Sequence, residues 1–340
     1  MSRSILLQTT IPDHPDDWSI ERFSLLKDHL SSLTDSDGRP LFSVTSHDRQ
    51  PNEDGDDPIL SQLDQSNYSQ LWLFAVDVGD GLSTADCEGI QRFRQRGGGI
   101  LTTRDHQDLG SSLCKLSGVC HPLGAAHFFH SRNPDPDPTR QQRDDQDTED
   151  ITWPNYHSGA NGDYQTIQPT EPVHELLLRP DGEPIQYFPA HPHEGAVGLP
   201  ADGNPAARII GTGVSKISGR SFNLAVAFER VKDVSGYCLG RAAAESTFHH
   251  FCDYNWNPNA GCPSFVSEPP GNGIAQNPQA LADIHAYMTN LALWLEESWL
   301  KVFALVRKSL ERLNHSSRID WATKTLGSEA GTIGAKNYKT

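Results

Sequence analysis

The run QLWLFAVD, Gln70 to Asp77, constrains the fold more than any other stretch of the chain. Its apolar residues follow one another without the alternation of a half-exposed strand, and that continuity marks a strand covered on both faces, as in a parallel sheet. Such a strand needs helices above and below it, and the flanking sequence supplies them. Upstream, Ser4 to Gln8 reads as a strand. The following DDWSIERFSLLKDHLSSL places Trp18, Ile20, Phe23, Leu25, Leu26, Leu30 and Leu33 near helical spacing, with Asp16 or Asp17 as its cap. A polar segment, Ser46 to Asp57, then leads to the buried run. Downstream, Ser83 stands at an N-cap with Asp86 three residues on, so Ser83 to Gln95 is predicted helical, with Leu82, Cys87, Ile90 and Phe93 on one face. Gly97 to Gly99 end that helix, Ile100 to Thr103 form the next strand, and Gln107 to about Leu116 the next helix. The alternation predicts the α/β class, with a doubly wound, mainly parallel sheet and helices on both faces.

Beyond Leu116 the pattern breaks. Residues 120–166 form a long loop insertion rich in Pro, Asp, Asn, His and Gly, and Phe128, Phe129, Trp153, Tyr156 and Tyr164 within it argue for order. It is expected to act as a lid, with His127, His130 and His157 as secondary contacts. Four short strands follow, Pro184 to Ala190, Ala207 to Gly213, Phe222 to Glu229 and Gly240 to Phe248. A long helix, or two joined ones, then carries Leu281, Ile284, Tyr287, Met288, Leu291 and Trp294 on one face. Residues 1–296 therefore read as a single domain and 297–340 as a C-terminal helical extension with a flexible tail. The stripe Trp299, Val302, Phe303, Val306 and Leu310 offers a homo-oligomer contact, or packs on its own sheet.

Bulk properties exclude several function classes. Lys and Arg number 28 against 44 Asp and Glu, a net charge of -16, and no basic cluster is present for a nucleic-acid backbone. The N-terminal apolar run is too short for a secretory segment, and no stretch approaches the ~20 apolar residues of a membrane span, which predicts a cytoplasmic protein with no membrane partner. The six cysteines lack CxxC pairing and read as reduced thiols. RGGGI precedes its strand and lacks GxGxxG spacing, so it stops a helix and no nucleotide cofactor is expected. DDQDTED lacks the spacing of a calcium loop and reads as a solvated acidic run.

Chemistry is concentrated in three histidine motifs: Asp105-His106, His191-Pro192-His193-Glu194 and His249-His250. Each follows a predicted strand within three residues, so parallel strands would bring all three to one sheet edge, where ligands of α/β sheets bind. Imidazole nitrogen and carboxylate oxygen are the donors of catalytic zinc and related ions, and a divalent metal is the expected cofactor. The candidate ligands are His106, His191, His193, His249 and His250, with the pair His106 and His193 preferred and His249 or His250 completing the set. Successive residues of a strand face opposite sides, so at most one of His249 and His250 reaches the ion if the strand persists. Asp105, His106 and Glu194 are the candidates for proton transfer on a small polar molecule. A direct hydrogen-bonding site without metal, and strand-end histidines that only cap loops, stand beside this reading.

Trp72 to Gly110, together with YFPAHPHEG and GRAAAESTFHHF, resembles the class I glutamine amidotransferase-like superfamily, and within it the ThuA-like (trehalose-utilisation) branch. The resemblance covers residues 1–296 in order of elements and implies a flavodoxin-like sheet with insertions and an active site at the turn after GGGILTTRD. It also implies a polyhydroxylated, sugar-derived small molecule as substrate. The amidotransferases present a Cys nucleophile at that turn, whereas this chain has Asp105 and His106, and Cys114 lies two helical turns on; Cys-dependent glutamine hydrolysis is not expected. A non-catalytic binding or interaction module on the same fold is the alternative function. Distance between the histidine motifs discriminates, since separations above ~10 Å cannot share one ion.

Overall fold

The computed structural model describes residues 3–116, 123–144, 150–201, 206–232, 236 and 238–296. Its centre is an eight-stranded sheet built from β1 (Arg3–Thr9), β2 (Phe42–His47), β3 (Gln70–Phe74), β4 (Gly99–Thr103), β5 (Gln168–Pro169), β6 (Ala207–Val214), β7 (Ser221–Phe228) and β8 (Ala242–Glu245). The order is β2-β1-β3-β4-β8-β7-β6-β5. The first five are parallel, and β7, β6 and β5 extend the sheet antiparallel. In order of appearance the parallel strands run 2-1-3-4-5, the flavodoxin-like arrangement.

The uninterrupted apolar runs explain why the sheet is wound on both sides. Ile5, Leu7, Trp72, Phe74 and Leu101 face one core, packed under α1 (Ser24–Ser32) and the C-terminal helix α3 (Pro278–Trp294) through Leu26, Leu30, Ile284, Met288 and Leu291. Leu6, Leu71, Leu73 and Ile100 face the other, beneath α2 (Thr84–Gln95) through Cys87, Ile90 and Phe93. Period-two alternation within each run sends neighbouring side chains into opposite cores. Ser83 and Asp86 form the expected capping box at the start of α2. The α3 face is buried as read, with Leu281 partly exposed.

Several sequence expectations are corrected. A strand absent from the sequence reading, β2, begins at Phe42, before the polar segment that precedes β3; its mostly half-exposed edge gives little hydrophobic signal. Neither Asp16 nor Asp17 caps α1. Residues Ile20–Phe23 form a 3-10 turn whose Ile20 N–H donates to Asp48, and Asp253, distant in sequence, accepts the Ser24 and Leu25 amides at 3.0 and 2.8 Å. The helix expected from Gln107 shrinks to a 3-10 turn, Ser111–Lys115, because Gly110 is left-handed (φ +81°) and the Asp77 carboxylate takes the Ser112 amide. Of the four later strands, Tyr187–Pro189 does not join the large sheet; it pairs antiparallel with Tyr164–Thr166. The Trp299 to Leu310 stripe lies outside the described residues. Cys87, Cys114, Cys252 and Cys262 are free thiols. Among the described residues no helix is long and apolar enough to cross a membrane.

The insertion is held to the sheet by His127, fully buried against Thr102 of β4 with its ring 2.9 Å from the hydroxyl. Burial first, then the charge of Arg104, pushes this imidazole down to about 3. The folded state therefore refuses a proton that the unfolded chain accepts below about 6.5, so the contribution is intact above that pH and is lost as pH falls towards 3. Urea denaturation between pH 7 and 5 is expected to show stability falling with acidification, and His127→Gln should reduce the slope by up to ~1.4 kcal/mol per pH unit. An unchanged slope contradicts the assignment.

Candidate functional site

The carboxyl ends of the parallel strands carry the site, and the protein's own carboxylates decide where along that edge it lies. After β3, Asp77 gathers the Gly79 amide (2.7 Å), the Ser112 amide (3.1 Å) and the Ser112 hydroxyl (2.7 Å). After β2, Asp48 takes the Thr9 hydroxyl at 2.6 Å and the Ile20 amide at 2.7 Å. The backbone donors near the β1/β3 switch point, where such sheets commonly bind anions, are thus filled internally. The open space runs from Val76 and Val78, after β3, across the ends of β4 and β8. It is a cavity of about 430 Å³ lined by Asp105, His106, His191, His193, His249 and Asn161, with Trp18, Phe248 and Phe265 among its apolar walls.

Each motif arrives there by a different route. Asp105 follows β4 directly. Its turn is held from behind by Arg104, whose guanidinium donates to the Asp105 and Gln107 carbonyls and lies 4.1 Å over the Phe129 ring. Gly195 must be glycine here, since a Cβ would lie 2.4 Å from both Arg104 Nε and the Asp105 carbonyl. His191 and His193 do not come from a strand of the large sheet. Paired backbone bonds between Tyr156 and Glu194 (2.8 and 3.0 Å), and from Gly195 to Ser246 (3.1 Å), fold their segment over the sheet edge. Residues Phe248–His250 leave β8 as a 3-10 turn, with Thr247 accepting the His249 amide at 3.1 Å and donating to Asp105 at 3.0 Å.

The three motifs meet on Asp105. Donor atoms of Asp105, His191 and His249 lie within 4.8 Å of one another. His191 Nε2 is 3.5 Å and His249 Nε2 3.7 Å from the carboxylate, and the two rings stack at 3.5 Å. Their far nitrogens end in a pair of amides. The Asn255 NH2 donates to the Ala190 carbonyl (2.9 Å) and to Asn161 Oδ1 (2.8 Å), which fixes its own Oδ1 as the acceptor facing His249 Nδ1 at 2.8 Å. Asn161 Oδ1 in turn faces His191 Nδ1 at 2.9 Å. Both rings must therefore carry their proton on Nδ1 and present a bare Nε2 to the carboxylate. Burial pushes His191 down to about 4 and His249 well below its ordinary value. Burial would raise the Asp105 carboxyl, but the attraction of His191 and His106 in their protonated forms overcomes it and holds the carboxyl well below the usual range, so Asp105 is already ionised where His191 is neutral. Two lone pairs and an anion thus face one another, and His191 Nε2 makes no hydrogen bond. That donor set fits a divalent cation: two neutral imidazoles, oriented by outer partners, and one carboxylate.

Of the preferred ligand pair, His106 lies with Nδ1 3.0 Å from the other face of Asp105, and His193 bonds Glu268 at 3.0 Å; their rings are 5.5 Å apart. The His193 partnership holds the Glu268 carboxyl down at about 2. These two line the cavity beside the three-donor group rather than forming it. Glu194 and His250 do not reach the cavity. The turn that aims His249 inward sends the adjacent ring the other way, where His250 lies 3.4 Å from Glu194 and 3.2 Å from Glu245. Burial would lower this imidazole, but the charge of Glu194 dominates and raises it to about 9. The three histidines of the insertion expected as secondary contacts do not line the cavity. His127 is under β4, His130 stacks on Trp153, and the His157 carbonyl accepts the Lys216 amide; only Ile151 and Asn161 of the insertion's described residues line the cavity. Thr247 was read only as part of the strand Gly240 to Phe248, and nothing in the sequence distinguishes Asn161, Asn255 and Glu268 from surface residues.

No family model and no curated protein matches the chain. Similar solved structures include a ThuA-like protein from Parabacteroides merdae, 15% identical over 80% of this chain and 96% of that one, TM-score 0.42. A ThuA-like protein from Bacteroides uniformis is 10% identical over 87% and 93% (TM-score 0.40), and the Trypanosoma brucei CTPS glutaminase domain with bound acivicin 12% over 86% and 94% (TM-score 0.40). These neighbours bear the names of the branch and superfamily that the short motifs resemble; the fold itself rests on the strand order above.

Asn255→Ala leaves the buried His249 N–H and the Ala190 carbonyl without partners. The unfolding free energy in urea is expected to fall by about 1–3 kcal/mol, and an unchanged midpoint contradicts the amide relay.

Proposed function

We propose that the chain is a metal-assisted or acid/base enzyme, of hydrolase or lyase/isomerase type, acting on a small polar molecule. Asp105, His191 and His249 would hold a divalent cation such as zinc. The observation that carries this reading is the pair of bare Nε2 atoms turned onto one ionised carboxylate at a cavity wall. Such an ion supplies Lewis acidity and makes water nucleophilic near neutral pH. His106, against Asp105 and partly exposed to the cavity, is placed to exchange a proton with a bound molecule. His193, fixed by Glu268, is placed to hydrogen-bond it. Glu194 has no such role, because it does not line the cavity.

The lining also bears on substrate charge. Asp17, Asp105 and Glu268 contribute carboxylates, and among the described residues no Lys or Arg lines the space. With the ion's charge shared among these carboxylates, a phosphate ester or carboxylate would have no second cation to pair with. A neutral hydroxyl-bearing molecule, of the kind the ThuA-like resemblance implies, suits these walls.

Elemental analysis and calorimetric titration with zinc test the proposal. Wild type is expected to take one equivalent, Asp105→Ala and His191→Ala to lose it, and His106→Ala to retain it. A wild type without affinity for divalent ions, or a His191→Ala variant that binds as wild type, overturns the reading.

A further inference from the structure

Behind the cavity lies a second group of ionisable residues that the proposed chemistry does not use. Glu194, Glu245 and His250 are fully buried, and Tyr287 donates its hydroxyl to Glu245. Glu194 is where the group converges. Its Oε1 accepts from Ser158 and Gln165, and its Oε2 accepts from Ser246 at 2.9 Å and faces His250 Nε2 at 3.4 Å.

Two of these links lead to the proposed cation ligands. The Ser158 hydroxyl accepts the His191 amide at 2.9 Å, and the Ser158 amide donates to the His191 carbonyl at 3.1 Å, so the proton given to Glu194 ties that carboxylate to the backbone of His191. On the other side, His250 adjoins His249 on one 3-10 turn, and anchoring its ring between two carboxylates fixes the rotation of the turn. We infer that Glu194 is a positioning residue that orients His191 through Ser158 and His249 through His250, setting both Nε2 atoms against Asp105. The inference rests on the reading of those three residues as a cation site.

Only a carboxylate accepts at both oxygens. In Glu194→Gln the amide NH2 must face either Ser158 and Gln165 or Ser246 and His250, so one arm loses its acceptor. Ser158→Ala removes the His191 arm with a smaller disturbance, and Ser158→Thr restores the hydroxyl.

The test combines cobalt(II) titration, followed by visible absorption, with two-bond proton–nitrogen spectra of the histidine rings in metal-free protein. Glu194→Gln and Ser158→Ala are expected to bind cobalt about 10–100-fold more weakly with an altered visible spectrum. Ser158→Ala should lose the pure Nδ1–H form of His191, and Ser158→Thr should behave as wild type. Folded Glu194→Gln and Ser158→Ala proteins with wild-type affinity, absorption and ring spectra overturn the inference. If wild type takes up no cobalt while Ser158→Ala still changes the His191 ring spectrum, the cation reading falls and the positioning role stands.

Discussion

The site depends on the Asp105 carboxylate and the imidazoles gathered around it. A buried anion is costly unless positive charge or hydrogen-bond donors surround it. Here Thr247 donates to one oxygen and His106 approaches the other, while His191 and His249 are turned so that lone pairs, not protons, face it. The amide pair Asn161 and Asn255 enforces that orientation from behind. Everything nearby follows: Arg104 and Gly195 fix the turn that carries Asp105, and the Tyr156–Glu194 pairing brings the HPH segment over the sheet edge.

Much of this was legible in the sequence, and the reasons differ between residues. The β3 and β4 runs and the Ser83–Asp86 capping box are local signals, and each forms its element near the expected boundaries. The turn after β4 was expected at the ligand-binding edge because the strand is buried and parallel, and its Asp105 and His106 do line the cavity. The ligand geometry was less so. His193 was preferred to His191 as a ligand, but which ring reaches Asp105 is set by Ser158 and Asn161, thirty or more residues upstream. His249 and His250 were expected on opposite sides of a strand. They do face apart, but on a 3-10 turn, so that separation survived a wrong assumption about local structure. Capping by Asp253 and gathering of amides by Asp77 are long-range events that no window of sequence contains.

Two storeys of charge share one sheet edge. The upper one opens on the cavity and holds neutral imidazoles against an anion; the lower one is sealed and holds a charged imidazole between two carboxylates. Consecutive residues 249 and 250 belong one to each. Burial alone would make both rings neutral; at His249 the neighbouring His191 adds to burial and the single Asp105 carboxylate does not overcome them, whereas at His250 Glu194 and Glu245 together do.

Diffraction from crystals grown with zinc, recorded on both sides of the zinc absorption edge, tests the central claim most directly. The account predicts a strong anomalous peak bounded by Asp105, His191 Nε2 and His249 Nε2, with the Asn161–Asn255 relay intact. Zinc bound elsewhere with this position empty, or His191 and His249 rings turned away from Asp105, would contradict it.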